Sequence, residues 1–443
     1  MERWSVAFFS QVSWRWDKKF LVRLGSVIEH KRVEVEGTDD KSALPIIEKI
    51  SFGGVLSLAE PKARKGYKGR LFWADAGDLI YSKIRVKQGS LALVPAGLGR
   101  IAVSAEYPVY RILESKAVPE YLALLLKSHT FLSLFEGLSH GGSSKTRIPP
   151  DEFERQIIPL PPLAEQRAIV ERWRSAQAQI AAASVRVEKM KAAIDASFLA
   201  ALGLNVPPQT TLPKCFAVWW EDTEKWGVQQ ILQFMLRSKK ETKFPEVLLS
   251  ELCKIGSGGT PSRRNINYFG GSIPWVKTTE VVNAEITKTE ETLTDEGLEN
   301  SSAKIYPNGS LIVAMYGQGA TRGRAAKLGI DAATNQACAV LFDIKPQVET
   351  DFLWYFLMSQ YDAMRALASG NNQPNLNAEM IANLQIAIPP LEIQRRLVER
   401  VTAARAEIAR ERAAAAALRQ SIAAEVEALI LGTQPIEQVQ ERL

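Results

Sequence analysis

The chain has 443 residues, 46% of them hydrophobic and 23% charged, with a formal net charge of +6. That length exceeds one ordinary core and points to two globular domains plus connecting structure, while the balance of apolar and charged residues excludes bulk disorder. Cys215, Cys253 and Cys338 are odd in number and far apart, which excludes a disulfide framework and a paired-cysteine metal site and leaves them as reduced thiols. The longest apolar run, YLALLLKSHTFLSLF, is interrupted by Lys127 and His129, short of the roughly 18 to 20 residues a membrane span needs. MERWSVAFFSQVSW carries Glu2 early and has no basic region followed by an apolar run and a cleavage site, so no signal peptide, no membrane and a cytoplasmic location are expected.

Residues 1–160 read as a first variable domain of mixed α+β character, with short apolar runs broken by Gly, Pro and Asn and a helix-like stretch, PEYLALLLKSHTFLSLFEGL. Within it, Pro61 to Arg111 holds ten Lys or Arg against Asp75, Asp78 and Glu106. A long helix is predicted next, in 161–203. Pro162 suits a first turn, and the chain then runs to about Ala201 without Gly or Pro and rich in Ala, Glu, Arg and Gln. NVPPQTTLP, Asn205 to Pro213, marks the boundary to a second mixed domain over 204–388, which holds the helix-like TDFLWYFLMSQYDAMRAL and a basic stretch from Ser301 to Ile330 free of acids. A second long helix fills 389–432, and 433–443 form a tail.

The two halves are copies. PPLAEQRAIVER at Pro161 and PPLEIQRRLVER at Pro389 share eight of twelve residues at an offset of 228, and the same offset sets Ile148 on Leu376, Phe153 on Ile381 and Ile158 on Ile386. Upstream, AGDLIYSKI at Ala76 resembles NGSLIVAMY at Asn308. Seven-residue spacing puts Trp173, Ile180, Val187 and Ile194 on one line of the first helix and Val401, Ile408, Ile422 and Leu429 on the matching line of the second. The companion lines are apolar only at their ends, so neither helix is stable alone and each needs a partner. Two helices packed separately on their own domains would not need matched length and register. The predicted fold is therefore α+β, two domains joined by two long antiparallel helices in a pseudo-twofold repeat, a rod of roughly 60 Å. Such pairing would set Lys191 and Arg405 at opposite depths.

The search for chemistry returns little. YGQGATRG lacks dinucleotide-loop spacing, and GGSSKTR has Ser144 where a phosphate loop requires Gly. His30, His129 and His140 sit singly, so no metal and no cofactor are expected. NNQPN has neither the order nor the aromatic residue of a base-flipping methyltransferase loop. What remains is the inventory of a duplex DNA reader, cations and hydroxyls for phosphates and Arg, Lys, Asn and Gln for base edges. The first half offers Arg64, Lys65, Tyr67, Lys68, Arg70, Lys83, Arg85, Lys145, Thr146 and Arg147. The second offers Thr260, Ser262, Arg263, Arg264, Lys277, Thr278, Gln318, Arg322, Arg324, Asn371, Asn372 and Gln373. One basic cluster would only solubilise a loop, but two in matching halves favour polyanion binding.

The doubled PPL..Q start of a long helix, GGTPSRRNINYFGGSIPWVKTTEV at Gly258 to Val281 and ATNQACAVLF at Ala333 to Phe342 resemble the DNA specificity subunits of type I restriction-modification enzymes. In the first half, GRIAVSAEYPVYRI stands where TNQ would be, and no GTPS element is visible. The resemblance implies a non-catalytic subunit whose two target recognition domains each read one half of a bipartite double-stranded DNA target across a spacer measured by the helices. It also implies two adenine-N6 methyltransferase subunits and ATP-dependent restriction subunits as partners, with methyl donor and ATP belonging to them. A self-contained DNA methyltransferase or nuclease, and a coiled-coil scaffold with no DNA role, are the alternatives.

Overall fold

The structure, a computed structural model, describes residues 14–36, 43–60, 67, 69–135, 147–204, 242–317, 320–367 and 375–435. The boundary stretch at Asn205 to Pro213 and Cys215 lie outside them. The chain divides into two compact units, Met1–Ser184 with Arg412–Leu443, and Val185–Glu411. The division falls inside both long helices, so each unit owns a part of each.

In chain order the first unit holds β1 (Leu21–Arg23), β2 (Ile28–Lys31), β3 (Ile47–Ile50), β4 (Leu56–Leu58), β5 (Leu71–Ala74), β6 (Leu79–Tyr81), β7 (Leu91–Leu93), β8 (Ile101–Ser104), β9 (Val109–Ile112), α1 (Pro119–Lys127), α2 (His129–Ser133), α3 (Pro150–Glu154), β10 (Ile157–Pro159) and the start of α4 (Leu163–Ala201). The second unit takes the end of α4, then β11 (Glu246–Leu248), α5 (Leu249–Leu252), β12 (Lys254–Ser257), β13 (Phe269–Val276), β14 (Glu285–Ile286), β15 (Glu291–Leu293), α6 (Asp295–Glu299), β16 (Ile305–Tyr306), β17 (Leu311–Ala314), β18 (Ala325–Leu328), β19 (Ala332–Thr334), β20 (Cys338–Phe342), α7 (Thr350–Ser359), α8 (Tyr361–Leu367), α9 (Ala378–Ala382), β21 (Gln385–Ala387) and the start of α10 (Leu391–Leu431).

The duplication read from the sequence is a duplication of architecture. One sheet runs β2-β9-β6-β7 and its counterpart β12-β20-β17-β18, extended by β14; β1 pairs β10 as β11 pairs β21. Gly77 and Gly309 hold positive φ angles of 87° and 85° before β6 and β17, a backbone state that suits glycine and explains the matching AGD and NGS turns. Ile148, Phe153 and Ile158 are buried, as are Leu376, Ile381 and Ile386 on which the offset sets them.

The repeated twelve residues have a specific task. Gln166 and Gln394 have no exposed surface. The Gln166 Oε1 accepts from the Val118 N–H at 2.8 Å, and its Nε2 donates to the carbonyls of Pro161 at 2.7 Å and Lys116 at 3.3 Å. Gln394 repeats this, accepting from the Glu349 N–H at 2.8 Å and donating to the carbonyls of Pro389 at 2.8 Å and Gln347 at 3.0 Å. Val118 and Glu349 are the residues that precede α1 and α7, so each glutamine ties the first turn of a long helix to the N-terminus of the helix that covers its sheet. A side chain shorter or without an amide removes the partner of three backbone groups, buried or half-buried, at each site.

Within each unit the two long helices pack antiparallel. In the first, Ile169, Val170, Ala176 and half-buried Trp173 share a core with Ile422, Val426 and Leu429. Arg172 forms a two-pronged pair with Glu425, at 2.9 and 2.8 Å, with side chains only 15% and 12% exposed. In the second, Ile194, Phe198 and Leu199 share a core with Leu397, Val398 and Val401, and Arg186 pairs with Glu411. Partner numbers total 597 in both pairs (172 with 425, 186 with 411), so the register is the same in each unit. Ile180, Val187 and Ile408 are buried as their line predicts. Lys191 and Arg405 correct the expectation of opposite depths, because they total 596 and share a level. Their like charges turn apart. Lys191 reaches Glu188, while the Arg405 Nη2 donates to the Asn283 carbonyl at 2.7 Å and its guanidinium lies over Trp354 and Tyr355.

Replacing Gln166 by Leu keeps the volume and removes all three hydrogen bonds. It is expected to cost about 3 kcal/mol and to lower the thermal midpoint of the chain by roughly 5–10 °C. Differential scanning calorimetry checks this, and an unchanged midpoint contradicts the anchoring role.

Candidate nucleic-acid interface

In the first unit a cleft of about 310 Å³ opens beside the β2–β9 edge. His30, Lys31, Arg32, Arg70 and Lys83 line it with Glu34, Phe72 and Tyr107. Register explains the grouping: His30 pairs with Tyr110 across the ladder and stacks on its ring at 4.9 Å. Burial and the neighbouring Arg32 charge hold the His30 imidazole below its ordinary pKa. Lys31 turns to Asp78 at 2.6 Å and to Asp75, and the Asp78 carboxylate also accepts from the Asp75 N–H at 2.7 Å. Lys31 holds the Asp75 carboxyl below the usual carboxylate range, aided by Arg100. Arg70 forms a two-pronged pair with Glu34 at 2.8 and 2.6 Å, and the Lys83 ammonium donates to the Ala105 carbonyl at 2.7 Å.

The second unit gathers its polar side chains where two parallel strands end. Trp275 pairs with Ala333 and Val276 with Thr334, which brings Lys277, Asn335 and Gln336 out side by side. A Cβ on Gly258 would lie 1.8 Å from the Thr334 carbonyl oxygen, so only glycine lets the GSGGT loop pass against β19. The Thr260 hydroxyl donates to the exposed Gln336 amide oxygen. Arg263 stacks over Phe269 at 4.5 Å and Trp275 at 5.1 Å and pairs with Glu291 at 2.5 Å. Lys277 bridges Glu290 and Glu291 at 2.8 and 2.9 Å. Arg263 first, then Lys277, holds the Glu291 carboxyl below its ordinary value.

The predicted site residues therefore sort unevenly. Arg70 and Lys83 come together in the cleft; Tyr67 is half-buried against the Ile46, Leu71 and Ala102 core, Arg85 is exposed, and Arg147 pairs with Glu106 at 3.0 Å. Thr260, Arg263 and Lys277 come together in the second unit, with Ser262 and Arg264 exposed on the same loop and Thr278 half-buried beyond Lys277. Arg322 and Arg324 lie half-buried before β18, where the Arg322 carbonyl accepts from Arg365 at 3.3 Å. Arg64, Lys65, Lys68, Lys145, Thr146, Gln318, Asn371, Asn372 and Gln373 lie outside the described residues. Sequence reasoning missed Arg32 and His30, which only the β2–β9 register brings to the cleft, and Gln336, whose signal was present in ATNQ. Among the described residues no group of three or more His, Cys, Asp or Glu could hold a metal, Cys253 and Cys338 are buried free thiols, and no helix is long and apolar enough to cross a membrane.

Comparison with known proteins places this architecture. Residues 241–418 match the family described as the type I restriction modification DNA specificity domain. The chain is 25% identical over 183 residues to the MjaIX type I restriction enzyme specificity subunit of Methanocaldococcus jannaschii, covering 37% of this chain but only 41% of that subunit. It is 24% identical over 368 residues to the HindI specificity subunit of Haemophilus influenzae, covering 72% of this chain and 78% of that one. A solved chain described under the structural basis of complex assembly and conformational transition of the type I R-M system shares the fold, with a TM-score of 0.59 at 19% identity over 93% of this chain and 96% of that chain. Residues 241–418 thus match the type I restriction modification DNA specificity domain, and most of the chain is similar in sequence to a type I specificity subunit.

The Glu291 cluster gives a pH signature. Because its folded pKa is depressed, the pairing contributes stability at pH above the unfolded glutamate value and loses it as pH falls through the folded one. Carbon-13 NMR titration of the Glu291 carboxyl is expected to give a midpoint below that of ordinary glutamates, and Arg263→Gln to raise it toward them. A midpoint unmoved by that substitution contradicts the assignment.

Proposed function

We propose that the chain is the non-catalytic DNA-reading subunit of a type I restriction-modification complex, each unit reading one part of a bipartite duplex target. Adenine-N6 methyltransferase subunits, two per chain, and ATP-dependent restriction subunits are its partners, and methyl donor and ATP belong to them. Its working place is the cytoplasm, with the DNA it reads. The observation that carries this reading is the contrast inside the repeat. Two units keep one framework of sheet order, turn glycines and buried glutamines, yet differ in the polar side chains they set on it. A conserved frame with divergent surfaces suits two readers of two different short sequences, since base edges demand particular donors and acceptors while the frame demands only packing. The polar groups are Arg, Lys, Thr, Gln and Asn, which serve phosphates and base edges, and the match of residues 241–418 to a DNA specificity domain supports the same reading.

Exchange of residues 1–160 for the corresponding segment of another such subunit is expected to change the bases recognised in one half of the target and leave the other half as it was. Mapping of methylated adenines in cells carrying the chimera reads this out, and altered bases in both halves contradict modular reading.

The helix pair is proposed to set the gap between half-sites. Deleting one matched heptad, 180–186 together with 411–417, preserves the register and removes about 10 Å of helix, or about three base pairs at 3.4 Å each. The same methylation map is expected to show both half-sites unchanged and the gap shorter; a target with its original gap refutes the ruler.

A further inference from the structure

The two units place different material at one position of their common frame, and the difference bears on what the first-unit cleft holds. The strand ladders fix the correspondence. Ala102 and Val109 occupy the places of Ala333 and Val340, a shift of 231, which sets Ala105 where Gln336 stands. Lys31 faces Val109 as Gly256 faces Val340, so Arg32, Val33 and Glu34 stand where Ser257, Gly258 and Gly259 stand. The first unit thus has a methyl group in place of an amide side chain, and full side chains where the second has a serine and two glycines. The recess of about 310 Å³ lies at that place.

Its charges do not cancel. Lys31 and Arg100 are matched by Asp75 and Asp78, and Arg70 is matched by Glu34. Among the described residues Lys83 donates to the Ala105 carbonyl and forms no ion pair, and Arg32 is exposed and forms none. Among the described residues these two cations have no ion-pair partner, the nearby Glu154 carboxylate being taken up by the Tyr110 hydroxyl, and Phe72 and Tyr107 form the apolar walls.

Shape decides which part of a duplex meets them. Base edges lie at the floor of the major groove, about 8.5 Å deep, and are reached by side chains that protrude. A recess receives what protrudes from the DNA, and that is the sugar-phosphate backbone. Resting on the DNA-reading function proposed above, we infer that this cleft seats a backbone phosphate of the duplex, Arg32 and Lys83 supplying its counter-charge, and that it reads no base. The first unit therefore grips by charge at the position where the second presents the neutral amide of Gln336.

The test uses the full chain in the complex purified from its host, titrated with its target duplex and with an unrelated duplex between 50 and 200 mM salt, a range over which phosphate contacts weigh heavily. Arg32→Ala and Lys83→Ala are each expected to weaken binding of both duplexes alike by about tenfold and to flatten the slope of log affinity against log salt by about 1. The methylated sequence stays the same, and Arg32→Lys and Lys83→Arg retain most of the affinity. An unmoved unfolding midpoint confirms that the variants are folded. A changed base preference at one position, or an unchanged affinity and slope, overturns the inference. So does displacement of the duplex by micromolar inorganic phosphate at constant ionic strength, which would assign the cleft to a free anion. Failure of the unsubstituted complex to prefer its target over the unrelated duplex is a separate outcome, and it removes the DNA-reading function itself.

Discussion

Everything in this molecule depends on two long helices that cannot stand alone. Each carries one apolar line, while its companion line is interrupted by groups such as Ser184, Lys191, Arg412 and Arg419. A single apolar line buries too little surface to offset the entropy of ordering some 40 residues. The other copy supplies the missing half of the seam, and within each unit the lines meet antiparallel in one register. The nearly buried Arg172–Glu425 pair guards that register more than it adds stability. Its desolvation offsets much of its attraction, but a one-residue slip would leave two charges buried without partners.

From this seam the rest is hung by hydrogen bonds. Gln166 and Gln394 fasten the start of each helix to the backbone ahead of α1 and α7, and those helices in turn cover the sheets that carry the polar loops. That is why twelve residues recur almost unchanged while the surfaces around them diverge. The glutamine of the motif bonds backbone groups, and that backbone is laid out alike in both copies. The polar groups set on the frame are not the same: a Lys31–Asp78 pair stands beside one sheet, where the other has Gly256 on β12 and Ser310 before β17.

The helices, the duplication and the apolar line were legible because they rest on local chemistry, a run free of Gly and Pro with seven-residue spacing. α1, α2, α7 and α8 fall in the two stretches read as helix-like. The strands, many only three residues long, gave too little alternation to be placed individually. The interface was only half legible. Residue type identified Arg70, Arg263 and Lys277 as cations, but their carboxylate partners Glu34, Glu291 and Glu290 lie 13 to 36 positions away and are brought near by strand register. The cleft was invisible in the sequence because it is defined by a side chain that Ala105 lacks, and because Arg32 joins Lys83 through the β2–β9 and β6–β9 ladders.

Cross-linking measures the seam directly. In a chain with its native cysteines replaced, Arg172→Cys with Glu425→Cys is expected to be joined efficiently by a short bismaleimide, and Arg172→Cys with Arg400→Cys is not. Position 400 is the repeat equivalent of 172 and would be its neighbour if the copies ran side by side in the same direction. Efficient joining of 172 to 400, with none to 425, would contradict the antiparallel pairing on which both units are built.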